Sequence, residues 1–106
     1  MYASIRTYKL DKGDMDEVMH RVDTDFADRL AGEPGFAGYH VVDCGDDVLC
    51  TVTVFHDEAS AKRSNDLAAE FVRDRLSDMD LSRTDVKGGK VAVSRAASEM
   101  LEPAHA

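Results

Sequence analysis

The chain has no tryptophan, two prolines, two cysteines and only 7% aromatic residues among its 106. With so few cysteines it cannot be a disulfide scaffold. Cys44 and Cys50 flank the turn signal Gly45-Asp46-Asp47. A short hairpin loop there does not place them opposite each other, so a disulfide, which needs Cα atoms within about 7 Å, is not favoured. They read as small apolar fillers. No C-x-x-C or Cys/His cluster points to zinc, and Asp46-Asp47 and Asp78-Met79-Asp80 lack the ordered oxygens of a Ca²⁺ loop. No metal is expected.

Basic residues are also scarce. Thirteen Lys and Arg stand against 21 Asp and Glu, for a net charge of −8. Nucleic acids and anionic membranes reward basic patches, so neither is an expected partner. No apolar run approaches the ~18 residues of a membrane-spanning helix. The opening Met1-Tyr2-Ala3-Ser4-Ile5-Arg6 lacks a signal-peptide pattern. The expected compartment is the cytoplasm. A glycine-rich phosphate loop is missing too, because Gly88-Gly89 lies in a strand pattern that leads into no helix.

What is present is an ordinary globular balance, 43% hydrophobic and 32% charged. The length argues for one domain, here 1–96, followed by a loose polar tail over 97–106. Residues 2–10 read as a strand rich in β-branched and aromatic side chains. Asp14, with Glu17 three residues on, predicts a capping box. The helix behind it carries Met15, Val18, Met19, Val22, Phe26 and Leu30 on one face and ends at Gly32. Residues 36–44 and 48–56 predict two strands joined by the Gly45-Asp46-Asp47 turn. Asp57 caps a second helix over 57–77, with an apolar stripe of Ala61, Ala68, Phe71, Val72 and Leu76. Residues 78–83 read as a polar connection, and 84–95 as a last strand with a bulge or bend at Gly88-Gly89. The order β-α-β-β-α-β predicts an α+β, ferredoxin-like fold, a four-stranded antiparallel sheet with both helices on one face.

The third strand, Val48-Leu49-Cys50-Thr51-Val52-Thr53-Val54-Phe55, predicts a second copy. Its even positions are wholly apolar and its odd positions only weakly polar, so it reads as covered on both faces. Two helices cover one face only. The expected cover for the other is a twofold homodimer packed sheet to sheet. The alternative is a monomer whose second face is made tolerably polar by Ser4, Arg6, Thr51 and Thr53.

The opening YASIRTYKL, the EPGFAGYHVVD stretch at 33–43, the segment FHDEASAKRSNDLAAEFVRD and the closing GGKVAVSR together carry a family resemblance. Over about residues 2–95 the chain resembles the dimeric α+β barrel superfamily, in particular the antibiotic-biosynthesis-monooxygenase-like (ABM) family. The resemblance implies a homodimer with a small cavity between helices and sheet in each protomer. It implies a small apolar or aromatic ligand, and cofactor-independent oxygenation of an electron-rich aromatic or quinol as one activity. The alternative is a non-catalytic dimeric module binding a small ligand or a protein. No cofactor is expected. Family oxygenases often carry a Trp one turn after a helical Asn. Ala69 stands at that position here, which argues against the haem-degrading branch.

Asn65, the only asparagine, falls on the apolar face of the second helix beside Ser64 and Phe71. Quinol-type members of the family carry an Asn on this helix that holds a substrate oxygen. A bond to a strand-end carbonyl or to water is the structural alternative. His56, at a strand end, is a candidate base or a rim residue bonded to Asp57. The other histidines, His20, His40 and His105, read as surface, sheet and tail residues. Tyr2, Ser4, Arg6 and Tyr8 share one strand face by alternation. Arg6 either grips a substrate anion or pairs with a carboxylate across the dimer. Arg75 either neutralises the helix C-terminus or closes the cavity mouth. Asn65 and His56 are therefore the candidate catalytic groups, and Arg6, Tyr8, Ser64 and Phe71 the candidate substrate contacts.

Overall fold

The structure, a computed structural model, describes residues 1–97 and Met100. Apart from Ala97 and Met100, the tail expected over 97–106 lies outside the described residues. Strand β1 (Tyr2–Lys12) leads into helix α1 (Met15–Arg21), a π-helical segment (Val22–Ala27) and helix α2 (Asp28–Ala31). Strands β2 (Phe36–Gly45) and β3 (Val48–Phe55) form a hairpin, followed by helix α3 (Glu58–Arg75) and strand β4 (Asp80–Lys90). The sheet order is β2-β3-β1-β4, and all neighbours are antiparallel. This is the α+β, ferredoxin-like arrangement that the element order predicts.

The hairpin turn follows from its residues. Asp46 and Asp47 both take positive φ (53° and 61°), the signature of the tight turns whose twist matches a hairpin. The register places His40 opposite Val52 and Val42 opposite Cys50, so Cys44 and Cys50 are not paired and both are free. Asp57 caps α3 as expected, accepting from Ser60 N at 2.8 Å.

Three local expectations are corrected. Asp14 caps α1 by accepting from Asp16 N, but no capping box forms, because the Glu17 carboxylate takes Arg21 instead. Strand β4 begins at Asp80 rather than at 84 and ends at Lys90. Its register shift falls at Thr84, where Asp85 faces Thr7 and Arg83 faces Tyr8, while Gly88 and Gly89 stay in register. Gly88 has a different reason to be glycine, since a Cβ there would lie 3.1 Å from the Tyr2 ring.

The first helix is not one regular α-helix. Its buried residues Val18, Val22, Phe26 and Leu30 recur every four positions. In an α-helix each such step drifts by about 40° around the axis. The wider π turn rotates less per residue and offsets that drift. All four side chains thereby stay on the core side, against Tyr8, Leu49, Phe55, Phe71 and Leu76.

Candidate functional site

Alternation along β1 and β3 sends Ser4 and Arg6, paired with Thr53 and Thr51, to the face beneath the helices. All four are buried there, and Arg6 is fully so (0% exposed). The alternative in which they polarise an uncovered face is thereby excluded. So is a cross-dimer partner for Arg6, which points under α3. Its Nε donates to Thr51 Oγ1 (3.1 Å) and its Nη2 to Thr53 Oγ1 (2.7 Å). Its Nη1 donates to Asn65 Oδ1 (3.0 Å) and Ser64 Oγ (3.4 Å). Every one of these acceptors is neutral. Among the described residues no carboxylate pairs with Arg6. Burying an ion costs several kcal/mol even after relaxation, and opposite charge is the usual compensation. The Arg6 site has the hydrogen bonds and lacks the charge.

Asn65 is a fixed part of this cluster. Arg6 can only donate, so the amide oxygen must face it. Ser4 Oγ also donates to that oxygen, at 2.6 Å. From the other side Arg83 donates to the Asn65 backbone carbonyl at 3.0 Å. The register shift at Thr84 brings Arg83 to the strand position facing Tyr8, on the helix-covered side. The strand-end carbonyl or water foreseen as the partner of Asn65 is replaced by Ser4 and Arg6.

A cavity lies between the sheet and the two helical segments packed on it. Arg6, Tyr8, Tyr39 and Thr51 form its floor, Val22 and Phe26 of the π segment one wall, and Phe71 and Val72 of α3 the other. The space open to the centre of a water molecule is about 30 Å³, room for about two waters. Tyr39 is set edge-on against Phe26, with ring centroids 5.8 Å apart. Burial pushes its phenol well above the ordinary tyrosine pKa, and the Arg6 charge only partly opposes this.

The candidates therefore divide. Arg6, Tyr8 and Phe71 line the cavity, and Ser64 and Asn65 hold Arg6 from behind. His56 is exposed at the end of β3 and does not line it. Its backbone N–H donates to Gly35 O (2.8 Å), and its ring helps to hold the Asp57 carboxyl low, after the Ser60 hydrogen bonds. Arg75 contributes its backbone carbonyl, which accepts from Arg21. Sequence reasoning put Thr51 and Thr53 on one face with Arg6 but did not place that face under the helices, and it missed Tyr39 beside them. The available signal was the tyrosine in GFAGY together with two threonines facing a strand arginine. The π segment also had a signal, in four-residue steps repeated three times. No group of His, Cys, Asp and Glu able to hold a metal occurs among the described residues. No described helix is long and apolar enough to cross a membrane.

No family model and no curated protein matches the sequence. Solved structures match its fold. SnoaB, a cofactor-independent oxygenase from Streptomyces nogalater, is 12% identical and superposes with a TM-score of 0.65, over 88% of this chain and 94% of its own. A dimeric ferredoxin-like protein from an uncultured marine organism is 11% identical, with a TM-score of 0.64 over 92% of this chain and 100% of its own. The monooxygenase ActVA-Orf6 of Streptomyces coelicolor, solved with nanaomycin D, is 12% identical, with a TM-score of 0.58 over 90% of this chain and 92% of its own. At these identities the likeness shows the fold. The chain has the ABM-like ferredoxin-like fold.

Proposed function

We propose that the cavity binds a small electron-rich aromatic or quinol-type substrate as its anion, and that the protein is a cofactor-independent monooxygenase. The buried Arg6 guanidinium, ringed by neutral oxygens and facing the cavity, supports this reading. An anionic ligand would supply the missing charge. Arg6 favours ionisation of the substrate hydroxyl by stabilising the resulting oxyanion. The electron-rich anion then reduces O₂ itself. O₂ bonds to a substrate carbon that bears hydrogen and takes up the proton released from the hydroxyl, giving a hydroperoxide. Loss of that C–H proton breaks the O–O bond, leaves a carbonyl at the carbon and releases the other oxygen as water. Asn65 is a positioning residue, because its amide oxygen is committed to Ser4 and Arg6. His56 has no part in the reaction.

The working form is a homodimer joined through the uncovered sheet faces, which would close the two sheets into a shared α+β barrel. Ile5 and Val42 are 41% and 48% exposed on that face, and the fold is shared with a protein described as dimeric. One observation favours the second reading, a ligand-binding module without turnover. The cavity holds about two waters, so even a single ring requires the π-segment wall to yield.

The test is oxygen uptake in metal-free buffer with anthrones, naphthoquinols and catechols, for wild type and Asn65→Ala. Uptake by wild type, with a loss of about tenfold or more in the variant as Arg6 loses its orientation, supports the oxygenase. Uptake equal in both marks autoxidation. No uptake, with a melting shift on ligand addition, selects the binding module.

A further inference from the structure

Two tyrosine hydroxyls border the same cavity, and that of Tyr39 lies against the Arg6 guanidinium, as an acceptor for it. Tyr8 is buried, yet its hydroxyl has no protein partner among the described residues. No fully buried side-chain polar atom among those residues is left unpartnered, so this hydroxyl meets open space, which at Tyr8 is the cavity. Tyr39 lies opposite Thr53 in the β2–β3 register, and Thr53 is the acceptor for Arg6 Nη2. Its ring is fixed by the edge contact with Phe26.

The count of donors on Arg6 decides what kind of anion suits the site. A guanidinium has five N–H groups. Four of them are committed, to Thr51, Ser64, Asn65 and Thr53. Arg6 therefore cannot offer the parallel pair of N–H groups that a carboxylate takes from an arginine fork. It offers its charge, and its remaining N–H is shared with the Tyr39 hydroxyl, whose own O–H stays free to donate. A single-oxygen anion, a phenolate or an enolate, matches that offer and needs a second donor from elsewhere. The tyrosine beside the guanidinium is in place to supply it. Burial keeps that phenol protonated, so it is available as a donor.

We infer that Tyr39 is the specificity-determining donor of the cavity: its neutral hydroxyl donates to the ligand oxygen that Arg6 neutralises, so the site selects phenols and enols, bound as anions, over carboxylates and over neutral aromatics of the same shape. This rests on the reading of the cavity as the binding site. Tyr8 borders the same space and widens the choice of ligand orientation.

The test titrates para-nitrophenol into the full-chain protein and reads its absorbance, which differs between phenol and phenolate. Para-nitrotoluene serves as the neutral comparator and para-nitrobenzoate as the carboxylate. In wild type the bound dye is expected in the phenolate form, with the anion preferred about tenfold, the scale of one hydrogen bond to a charged group. In Tyr39→Phe, which keeps the ring and its contact with Phe26, that preference falls about tenfold while affinity for para-nitrotoluene is unchanged. A purely structural role would not move the ionisation of the bound dye. A dye bound as neutral phenol overturns the inference and leaves the cavity reading standing. So does an unchanged anion preference in Tyr39→Phe, or para-nitrobenzoate binding as tightly as the phenolate. Failure of all three probes to bind overturns the cavity reading and the inference with it.

Discussion

Beneath the helices the two central strands present Ser4, Arg6, Thr51 and Thr53, all buried. On the other side the same strands present Ala3, Ile5, Val52 and Val54, with no described helix over them. The usual placement is inverted, with the polar row enclosed and the apolar row left open. A polar row under cover costs stability, because each group gives up water and needs a fixed partner. An apolar row left open is a liability in a monomer. The difference between the faces separates two jobs. On the proposed reading the covered face holds a charged ligand and the open face meets a second copy.

The largest effect is expected on the open face. Val52→Asp would place a carboxylate within the proposed sheet-to-sheet interface, at a cost of about 4 kcal/mol. That corresponds to about a thousandfold in dimer affinity. Sedimentation velocity should show a dimer for wild type and a monomer for the variant. A variant that stays dimeric would put the interface elsewhere.

The covered face should respond in the opposite direction. Arg6→Met removes a buried charge that has no counter-charge among the described residues, and is expected to raise stability by about 1 kcal/mol in thermal or urea melts. Ser4 keeps its bond to Asn65, and the Ser64 hydroxyl keeps Ala61 O. Anion binding should be lost at the same time. A fall in stability instead would make Arg6 a structural residue and weaken the contrast between the faces.

Two adjacent glycines sharpen the comparison. Gly88 faces Ser4 on the covered side, with the Tyr2 ring over it, and Gly89 faces Ala3 on the open side with nothing within 4 Å. Gly88→Ala should cost about 1 kcal/mol, because the ring must shift. In dilute, monomeric protein Gly89→Ala should cost nothing. Equal effects would mean that the Tyr2 contact is not the constraint.

The smallest effect belongs to the rim, away from both faces. Arg21 holds Asp78 at 2.7 Å and lowers its carboxyl pKa, as the Ser60 hydrogen bonds lower that of Asp57. A lowered folded-state pKa stabilises above the unfolded value, near 3.8, and that contribution disappears as the pH falls through the folded value. Both carboxylates are exposed, so salt screens them and the effect is small. Melts of wild type and Asp78→Asn should differ slightly at neutral pH and converge as the pH falls below the unfolded value and through the lower folded one. A difference that persists in acid would refute the ion-pair origin.

The order of the elements, the Gly45-Asp46-Asp47 hairpin turn and the Asp57 cap were all legible, because each depends on neighbours along the chain or on strict alternation. The capping box at Glu17 failed because Arg21, one turn away, competes for the same carboxylate. The start of β4 was misplaced because 78–83 is polar, and pairing with β1 overrides that local preference. At the candidate site, Asn65 and Arg6 stood out as polar groups at apolar positions. His56 also looked suitable, but being at a strand end says nothing of which way a side chain faces.

Periodicity and turn chemistry in the sequence determined the elements, their order, and which residues of each strand share a face. They act over a few residues, so a linear reading captures them. Only the tertiary structure decided that the Ser4–Arg6–Thr51–Thr53 face lies under the helices. It also turned Asn65 toward Arg6, brought Tyr39 into the same cavity and, among the described residues, left Arg6 without a carboxylate. Those outcomes depend on contacts between residues up to 61 positions apart, such as Ser4 with Asn65. Which side of a sheet receives its helices is set by the path of the chain between strands, and alternation alone is the same for either side.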